Sequence, residues 1–272
     1  LPLRYAGGWR KRWRYLGAYS DELMLCAARV QVGPLGQTFW AFWDRGEREL
    51  HERTVLRPPF VRGEVWGEDG AGRRLGYNAP DEGCVVRVSA DTAEATLRAG
   101  PGVWAESVCP NGEGGFVWTR KRPVRVEYDV HLGQRRLRGE AMGLEDESAG
   151  YHPRHTVWSW SAGVGVLTDG RSVAWNLVEG VNDPAERSER AIWVDGVPSE
   201  PAPVEFEGLE AIRFGDGSRL DFSAEAERRA QEDRRIVRYS YRQPFGTFTG
   251  ALPGGLRLGE AQGVMEHHDA LW

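Results

Sequence analysis

A chain of 272 residues, 40% hydrophobic and 28% charged with a mean hydropathy of −0.52, can bury one large core or two ordinary ones. No run of about 18 apolar residues occurs, so no membrane-spanning helix is expected. The net charge of −5 argues against a broad nucleic-acid footprint.

Cys26, Cys84 and Cys109 are odd in number and lack CxxC spacing. That excludes a disulfide framework and a cysteine zinc site, and points to reduced thiols in a cytoplasmic setting.

In chain order, the N-terminus LPLRYAGGWRKRWRY starts at Leu1 without a methionine and has no apolar h-region, so no signal peptide is expected. Its basic run, Arg10, Lys11, Arg12 and Arg14, is interleaved with Trp9, Trp13 and Tyr15. It reads as a solvated strand face, with a site for one anionic group as the alternative. Short apolar or alternating bursts then predict strands: ELMLCAARVQV, TFWAFWD, CVVRVSA, ATLRA, GFVWTR and VRVEYDV. GEGG at 112–115 is a hairpin turn rather than a phosphate cradle, because no helix pattern follows it.

The second half continues with TVWSWSAGVGVL, SVAWNLVEG, RAIWVDG, EAIRF, RLDFSA, RIVRYSYR and GTFTGAL. Glycine turns punctuate these strands at 168–172, 194–198, 215–218 and 253–255. One stretch, AEAERRAQEDRR at 224–235, is rich in helix formers but has almost no apolar face. A charged connector or a short exposed helix fits it. Many short antiparallel strands with twelve tryptophans and 35 glycines predict an all-β sandwich or barrel.

The halves also match each other. WTRKRPV (118–124) aligns with YSYRQPF (239–245), and GEAMG (139–143) with GEAQG (259–263). Upstream, AFWD (41–44) aligns with AIWVD (191–195), and RWRYLG (12–17) with VWSWSAG (157–163). An internal duplication follows, with repeats at 1–147 and 148–272, each a curved antiparallel sheet or barrel. In this alignment Trp118 is equivalent to Tyr239, Lys121 to Arg242 and Pro123 to Pro244.

KRWRYLGAYSDELMLCAARVQVGPLGQTFWAFWDR, DESAGYHPRHTVWSWSAGVG, AWNLVEGVND, SERAIWVDG, YRQPFGTFTGALPGG and GVMEHHDALW resemble the bacterial domain-of-unknown-function family 2804. That family brings no established activity with it. In architecture the duplicated chain is similar to the tandem-lipocalin group of carotenoid hydratases, AttH-type proteins and fungal pericyclase relatives. The likeness implies two lipocalin-like barrels, and hydration, dehydration or cyclisation of hydrophobic small molecules. No catalytic residue carries over by alignment, and fold alone does not establish function.

Ionisable groups gather where each repeat ends: Glu145, Asp146 and Glu147 in one, Glu266, His267, His268 and Asp269 in the other. After the first comes GYHPRH, where Pro153 between His152 and His155 favours a turn entering the next strand. An imidazole near its reference pKa of about 6.5 moves protons at physiological pH. His152 and His155 are therefore the candidate acid or base, with Glu145 or Asp146 as orienting partner or second acid. Tyr151, Arg154, Trp158 and Trp160 are candidate walls and anchors, together with Glu179, Asn182, Tyr241, Arg242, Glu266 and His267.

The bland readings are a crowded turn for the histidines, an Asx-rich turn for Glu179, Asn182 and Asp183, and ordinary strand residues for Tyr241, Arg242 and Arg190. No metal site is expected, since adjacent histidines rarely share an ion and no HExxH occurs. No GxSxG, P-loop or GxGxxG is present either, so hydride transfer, phosphoryl transfer and serine hydrolysis are disfavoured and no cofactor is expected. What remains is a cofactor-independent lyase (hydratase or dehydratase) or isomerase acting on a hydrophobic small molecule in an aromatic cavity. The alternative is a non-catalytic lipid or metabolite carrier. A protein-interaction surface ranks third.

Overall fold

The computed structural model describes every residue except 58–62, 112–113, 235–236 and 272, and omits the side chains of 57, 232–234 and 237. Part of the GEGG turn, the end of the helix candidate, the start of RIVRYSYR and Trp272 thus lie outside the described residues. Two compact units are present. One comprises Leu1–Trp104 with Arg120–Gly150, the other Ala105–Thr119 with Tyr151–Trp272.

A small hairpin, β1 (Arg4–Tyr5) and β2 (Gly8–Trp9), opens the first unit. Its sheet is built from β3 (Lys11–Tyr19), β4 (Leu23–Val32), β5 (Leu35–Asp44), β6 (Glu49–Arg57), β7 (Val65–Glu68), β8 (Cys84–Ser89) and β9 (Ala93–Ala99). β10 (Ala105–Pro110), β11 (Phe116–Leu132) and β12 (Arg135–Gly150) follow. The order across this sheet is β6-β5-β4-β3-β12-β11-β9-β8-β7, with β10 paired to β11.

The second sheet contains β13 (His155–Leu167), β14 (Ser172–Glu179), β15 (Ala191–Val194), β16 (Val197–Ser199), β17 (Val204–Glu207) and β18 (Ala211–Phe214). It is completed by β19 (Arg219–Arg234), β20 (Val237–Leu252) and β21 (Leu256–Leu271). Its order, β16-β15-β14-β13-β21-β20-β19-β18-β17, repeats the first strand for strand. Each sheet is a curled antiparallel half-barrel. Among the described residues the sole helical element is a 3-10 turn at Pro253–Gly255, and no helix is long and apolar enough to cross a membrane.

Register makes the duplication concrete. Gly143 pairs with Ala18 and Gly263 with Gly163; Glu147 pairs with Arg14 and His267 with Ser159. Both central ladders therefore relate by offsets of 120 on one strand and 145 on the other, which reproduces the alignment of RWRYLG with VWSWSA. The GEAxG box has a steric cause. A Cβ on Gly143 would lie 2.0 Å from the Gly17 carbonyl oxygen, and one on Gly263 would lie 2.1 Å from that of Ala162. In both halves the neighbouring backbone comes too close for any side chain.

The interior of each sheet is packed with side chains. In the first unit Leu16, Leu25, Trp40, Phe42, Leu97 and Val126 belong to one buried cluster. In the second Trp175, Leu177, Ile212, Phe222, Phe248 and Met265 do the same, with the Trp175 and Phe248 rings perpendicular at 5.0 Å. Each such side chain contributes about 1.5–3 kcal/mol by leaving water.

Two expectations are corrected. The stretch from 224 is not a helix or connector but part of β19, paired with β20 from Leu220 to Arg234 across a bulge between Ala224 and Ala226. Helix propensity amounts to a few tenths of a kcal/mol per residue, and the long ladder with β20 outweighs it. The basic run is not a solvated face either. Lys11 and Arg14 are buried, and Arg12 is half-buried with its guanidinium 3.9 Å from the Tyr77 ring centroid.

Candidate functional site

Strand parity sorts the polar residues of each unit onto two faces. Within the first unit Arg14, Glu145 and Glu147 share the face of Leu16, which belongs to the interior cluster. Glu145 is fully buried and receives two paired sets of bonds. Arg14 gives Nε 3.0 Å and Nη2 2.6 Å, and Arg122 gives Nε 3.1 Å and Nη2 2.8 Å. Glu147 accepts from Arg120 Nε at 2.9 Å and from the backbone N–H of Ala79.

Arg120 and Arg122 also bond the carbonyls of Ala79, Pro80 and Asp81, and both stack on the Trp104 ring at 4.0 and 4.1 Å. Burial pushes the Glu147 carboxyl up despite these donors. The Cys84 thiol, donating toward Glu145, is pushed up to about 11 by burial and by that carboxylate. This end of the interior is a buried ionic plug. Glu145 has its lone pairs occupied by four N–H groups, so its geometry suits anchoring better than proton exchange.

The opposite face carries a motif that the two repeats share. In the first unit Asp146 accepts from Trp13 Nε1 at 3.1 Å and from Lys121 Nζ at 2.6 Å. In the second unit Glu266, 120 residues on, accepts from Trp158 Nε1 at 2.8 Å and from Gln243 Nε2 at 2.9 Å. The carboxylate partner of Lys121 thus corresponds to that of Gln243, so by this criterion the counterpart of Lys121 is Gln243 rather than Arg242. The indole donor is kept, and the ammonium is replaced by a neutral amide.

Around Glu266 the strands lay out an aromatic row. Trp158, His268 and Tyr241 are ladder partners across β13, β21 and β20, and Trp160 is the partner of Glu266. The His268 ring lies 4.2 Å from Trp158, 5.2 Å from Tyr241 and 6.2 Å from Tyr239. Arg228 is buried with its guanidinium 4.6 Å from the Tyr241 ring. Desolvation, reinforced by the charge of Arg228, drops the His268 pKa to about 3. The imidazole is therefore neutral throughout the physiological range. Trp160 donates to Asn176 Oδ1 at 2.7 Å, and Asn176 Nδ2 is held by the Glu189 carbonyl at 2.8 Å.

The remaining sequence candidates fall elsewhere. His155 is exposed and pairs with the exposed Asp269, Nε2 to Oδ1 2.8 Å. His152 is buried at the turn after Tyr151, whose ring packs edge-on to Phe116 at 5.6 Å. Arg154 is exposed. His267 lies on the face opposite His268, its Nδ1 3.3 Å from Ser159 Oγ, with Arg242 as its ladder partner on the other side. Arg242 bonds Glu227 at 2.5 Å.

Glu179 accepts the Phe206 backbone N–H at 3.1 Å. Asn182 takes a left-handed φ of 50° and donates to Glu189 Oε2 at 2.8 Å, while Asp183 accepts from the Gly180 N–H at 2.8 Å. Arg190 is buried against the carbonyls of Asp183, Pro184 and Pro201. Of the candidates, Trp158, Trp160, Tyr241 and Glu266 come together. His268, named in the sequence only as part of the repeat-end cluster, joins them, as do Gln243 and Arg228, which were not singled out. Two-residue parity along EHHDA and YSYRQ would have found the first two, and Arg228 lay inside the stretch read as a connector.

Residues 106–272 match the family described as Domain of unknown function (DUF2804). The chain belongs to this family. No curated protein matches this DUF2804 chain in sequence. Its fold is similar to that of an AttH-type protein of Nitrosomonas europaea, with a TM-score of 0.59 and 14% identity over 95% of this chain and 92% of that one. Kievitone hydratase from Nectria haematococca follows at 0.58 and 10% identity, covering 100% and 93%. CghA follows at 0.56 and 10%, covering 96% and 88%. At such identities the likeness is one of fold. It makes this DUF2804 protein a tandem lipocalin-like chain, as its duplicated sequence predicts.

Proposed function

We propose that the second unit performs general acid–base chemistry on an apolar small molecule, with Glu266 as the proton carrier. One observation carries the reading: Glu266 is held by two neutral donors, Trp158 and Gln243, beside an aromatic row that contains a neutral imidazole. The indole and amide N–H groups fix the Glu266 carboxyl beside the aromatic row, the positioning that a general acid or base needs. We place the proton transfer here rather than at His155, which is exposed and paired with Asp269.

In a hydration, the Glu266 carboxyl protonates one carbon of a substrate double bond, and water adds to the other. The proton that water loses returns to the carboxylate. Dehydration runs the same steps backward, and proton return at a different carbon gives isomerisation. The face of Trp158 stabilises positive charge that develops on the substrate. Tyr151, Arg154, Trp160, Glu179, Asn182, Arg242 and His267 serve this reading as surrounding or positioning groups at most. The presence of a hydratase among proteins of the same fold supports the reading.

The test begins with solvent extraction of the purified protein and mass spectrometry of what co-purifies. The extracted compound is then incubated with protein in D2O. The wild type should bring deuterium into a carbon-bound position, and Glu266→Gln should not. Equal incorporation by both proteins would remove Glu266 from the role. A bound apolar compound that takes up no deuterium with either protein would favour a carrier.

A further inference from the structure

The basic, aromatic N-terminal stretch is not used by the acid–base reading, and its placement is distinctive. β1 and β2 are joined by a two-residue turn in which Ala6 (φ 46°) and Gly7 (φ 81°) are both left-handed, the geometry of a tight hairpin. The hairpin is pinned at its base. The Arg10 N–H bonds the Leu3 carbonyl at 2.9 Å, and the Gly33 N–H bonds the Arg10 carbonyl at 2.9 Å. Trp9 lies over Gly33, where a Cβ would come within 2.9 Å of its ring. A rigid finger thus stands beside the β4–β5 turn.

What it displays is apolar. Leu3, Tyr5 and Trp9 are 42%, 47% and 41% exposed, and Leu35, two residues past Gly33, is 55% exposed. Tyr5, opposite Gly8, and Trp9, opposite Arg4, project from the two faces of the hairpin, so the finger shows large side chains on both faces, the display of an interaction site. The charge around them has one sign. Residues 1–20 and 23–43 hold no acid; Arg4 is exposed and Arg10, Arg12 and Arg29 are partly exposed, whereas Lys11 and Arg14 are buried and add no surface charge.

Asp21 and Glu22, the acids between these segments, belong to the β3–β4 turn at the far end of the nine-residue β3. That is about 30 Å away at ~3.3 Å per residue. Arg4 stacks on Trp9 at 4.4 Å. Arg12 and Arg29 flank Tyr77 at 3.9 and 4.8 Å. Burial and the like charges of Arg10 and Arg29 pull the Arg12 pKa down. Aromatic and leucine side chains ringed by arginines match the chemistry of a negatively charged lipid–water interface, where rings sit at headgroup depth and cations meet phosphate.

We infer that the β1–β2 finger, with Leu3, Tyr5, Trp9, Leu35 and the arginines around them, docks the protein peripherally on an anionic lipid surface. This inference does not depend on the acid–base reading. The test is sedimentation of the full chain with vesicles of phosphatidylcholine alone or with a minority of phosphatidylglycerol. Binding to the anionic vesicles should exceed binding to neutral ones by about tenfold or more, and should fall in high salt. Tyr5→Ser/Trp9→Ser and Arg4→Glu/Arg10→Glu should each lower it by about tenfold. Val197→Ser, at an apolar position 70% exposed in the second unit, should leave it unchanged.

Circular dichroism checks that each variant keeps its sheet content. Absence of binding to either vesicle, equal binding to both, or wild-type binding by either double variant would overturn the inference. So would a dimer, seen by light scattering, that Tyr5→Ser/Trp9→Ser converts to monomer without any effect on vesicles, which would make a second copy the occupant.

Discussion

Asp146 and Glu266 occupy the same position in the two repeats and share an indole donor, yet their third partner differs. Lys121 is buried and brings a full charge to Asp146, so truncating either side chain breaks a buried ion pair. Gln243 brings only a dipole to Glu266. The ladder geometry keeps the carboxyl aimed in the same way while the ammonium donor is exchanged for a neutral amide. Duplication thus supplied one position twice. A single exchange, lysine for glutamine, separates a buried ion pair from the carboxyl that we propose as the proton carrier.

The largest expected effect follows from restoring the charge in the second repeat. Glu266→Gln should lower deuterium incorporation by about 10²–10⁴-fold, the usual contribution of a positioned acid or base. Gln243→Lys should lower it comparably by fixing Glu266 as an ion. The same D2O assay reads both variants. If Gln243→Lys kept full activity, the contrast between the repeats would have no catalytic meaning.

Stability should show the reverse asymmetry. Asp146→Asn strips the counter-charge from buried Lys121 and should cost about 3–5 kcal/mol. Glu266→Gln strips no charge from Gln243 or Trp158 and should cost less than Asp146→Asn. Urea unfolding of the two variants measures the difference, and equal costs would show that the lysine does not distinguish the sites.

Much of this architecture was legible before any coordinates, because period-two patterning and glycine turns are local consequences of strand geometry. The GEAxG box was visible as a repeat, and its cause, a backbone approach that excludes a Cβ, is a contact between distant segments. Site composition was harder to read. His267 and His268 are adjacent in sequence and point to opposite faces, so clustering in one dimension could not choose between them. The stretch around Arg228 carried the composition of a helix, and only its pairing with β20 makes it a strand that brings a cation to Tyr241. His155 and Asp269 do meet, although they lie 114 residues apart. They meet on an exposed edge, and exposure is what a sequence reports least well.

A smaller effect tests whether the shared indole matters equally in both repeats. Trp13→Phe and Trp158→Phe each delete one hydrogen bond to a carboxyl and keep most of the ring. Each should cost about 1.5–3 kcal/mol if its acceptor is ionised. Asp146, beside Lys121, should place Trp13→Phe at the upper end of that range. Urea unfolding of both variants at neutral pH makes the comparison, and a larger loss for Trp158→Phe would reverse the assignment of which carboxyl is locked as an ion.

The smallest effect is a slope. His268 is held neutral in the folded protein, with its pKa lowered from 6.5 to about 3 by desolvation and by the charge of Arg228. The unfolded chain takes up a proton at this ring as pH drops through about 6.5, whereas the folded protein does not until about pH 3. Between those values the unfolded state binds more protons, so stability contributed by the neutral ring is fully present above 6.5 and declines as pH falls toward 3. The decline is at most about 1.4 kcal/mol per pH unit. Carboxylates titrate in the same window, so the informative quantity is the difference between wild type and His268→Gln in urea unfolding from neutral to acidic pH. The variant should show a shallower slope. Identical slopes would mean that the aromatic row around Glu266 admits a charged imidazole, and the second site would then be less distinct from the Lys121–Asp146 pair than its hydrogen bonds suggest.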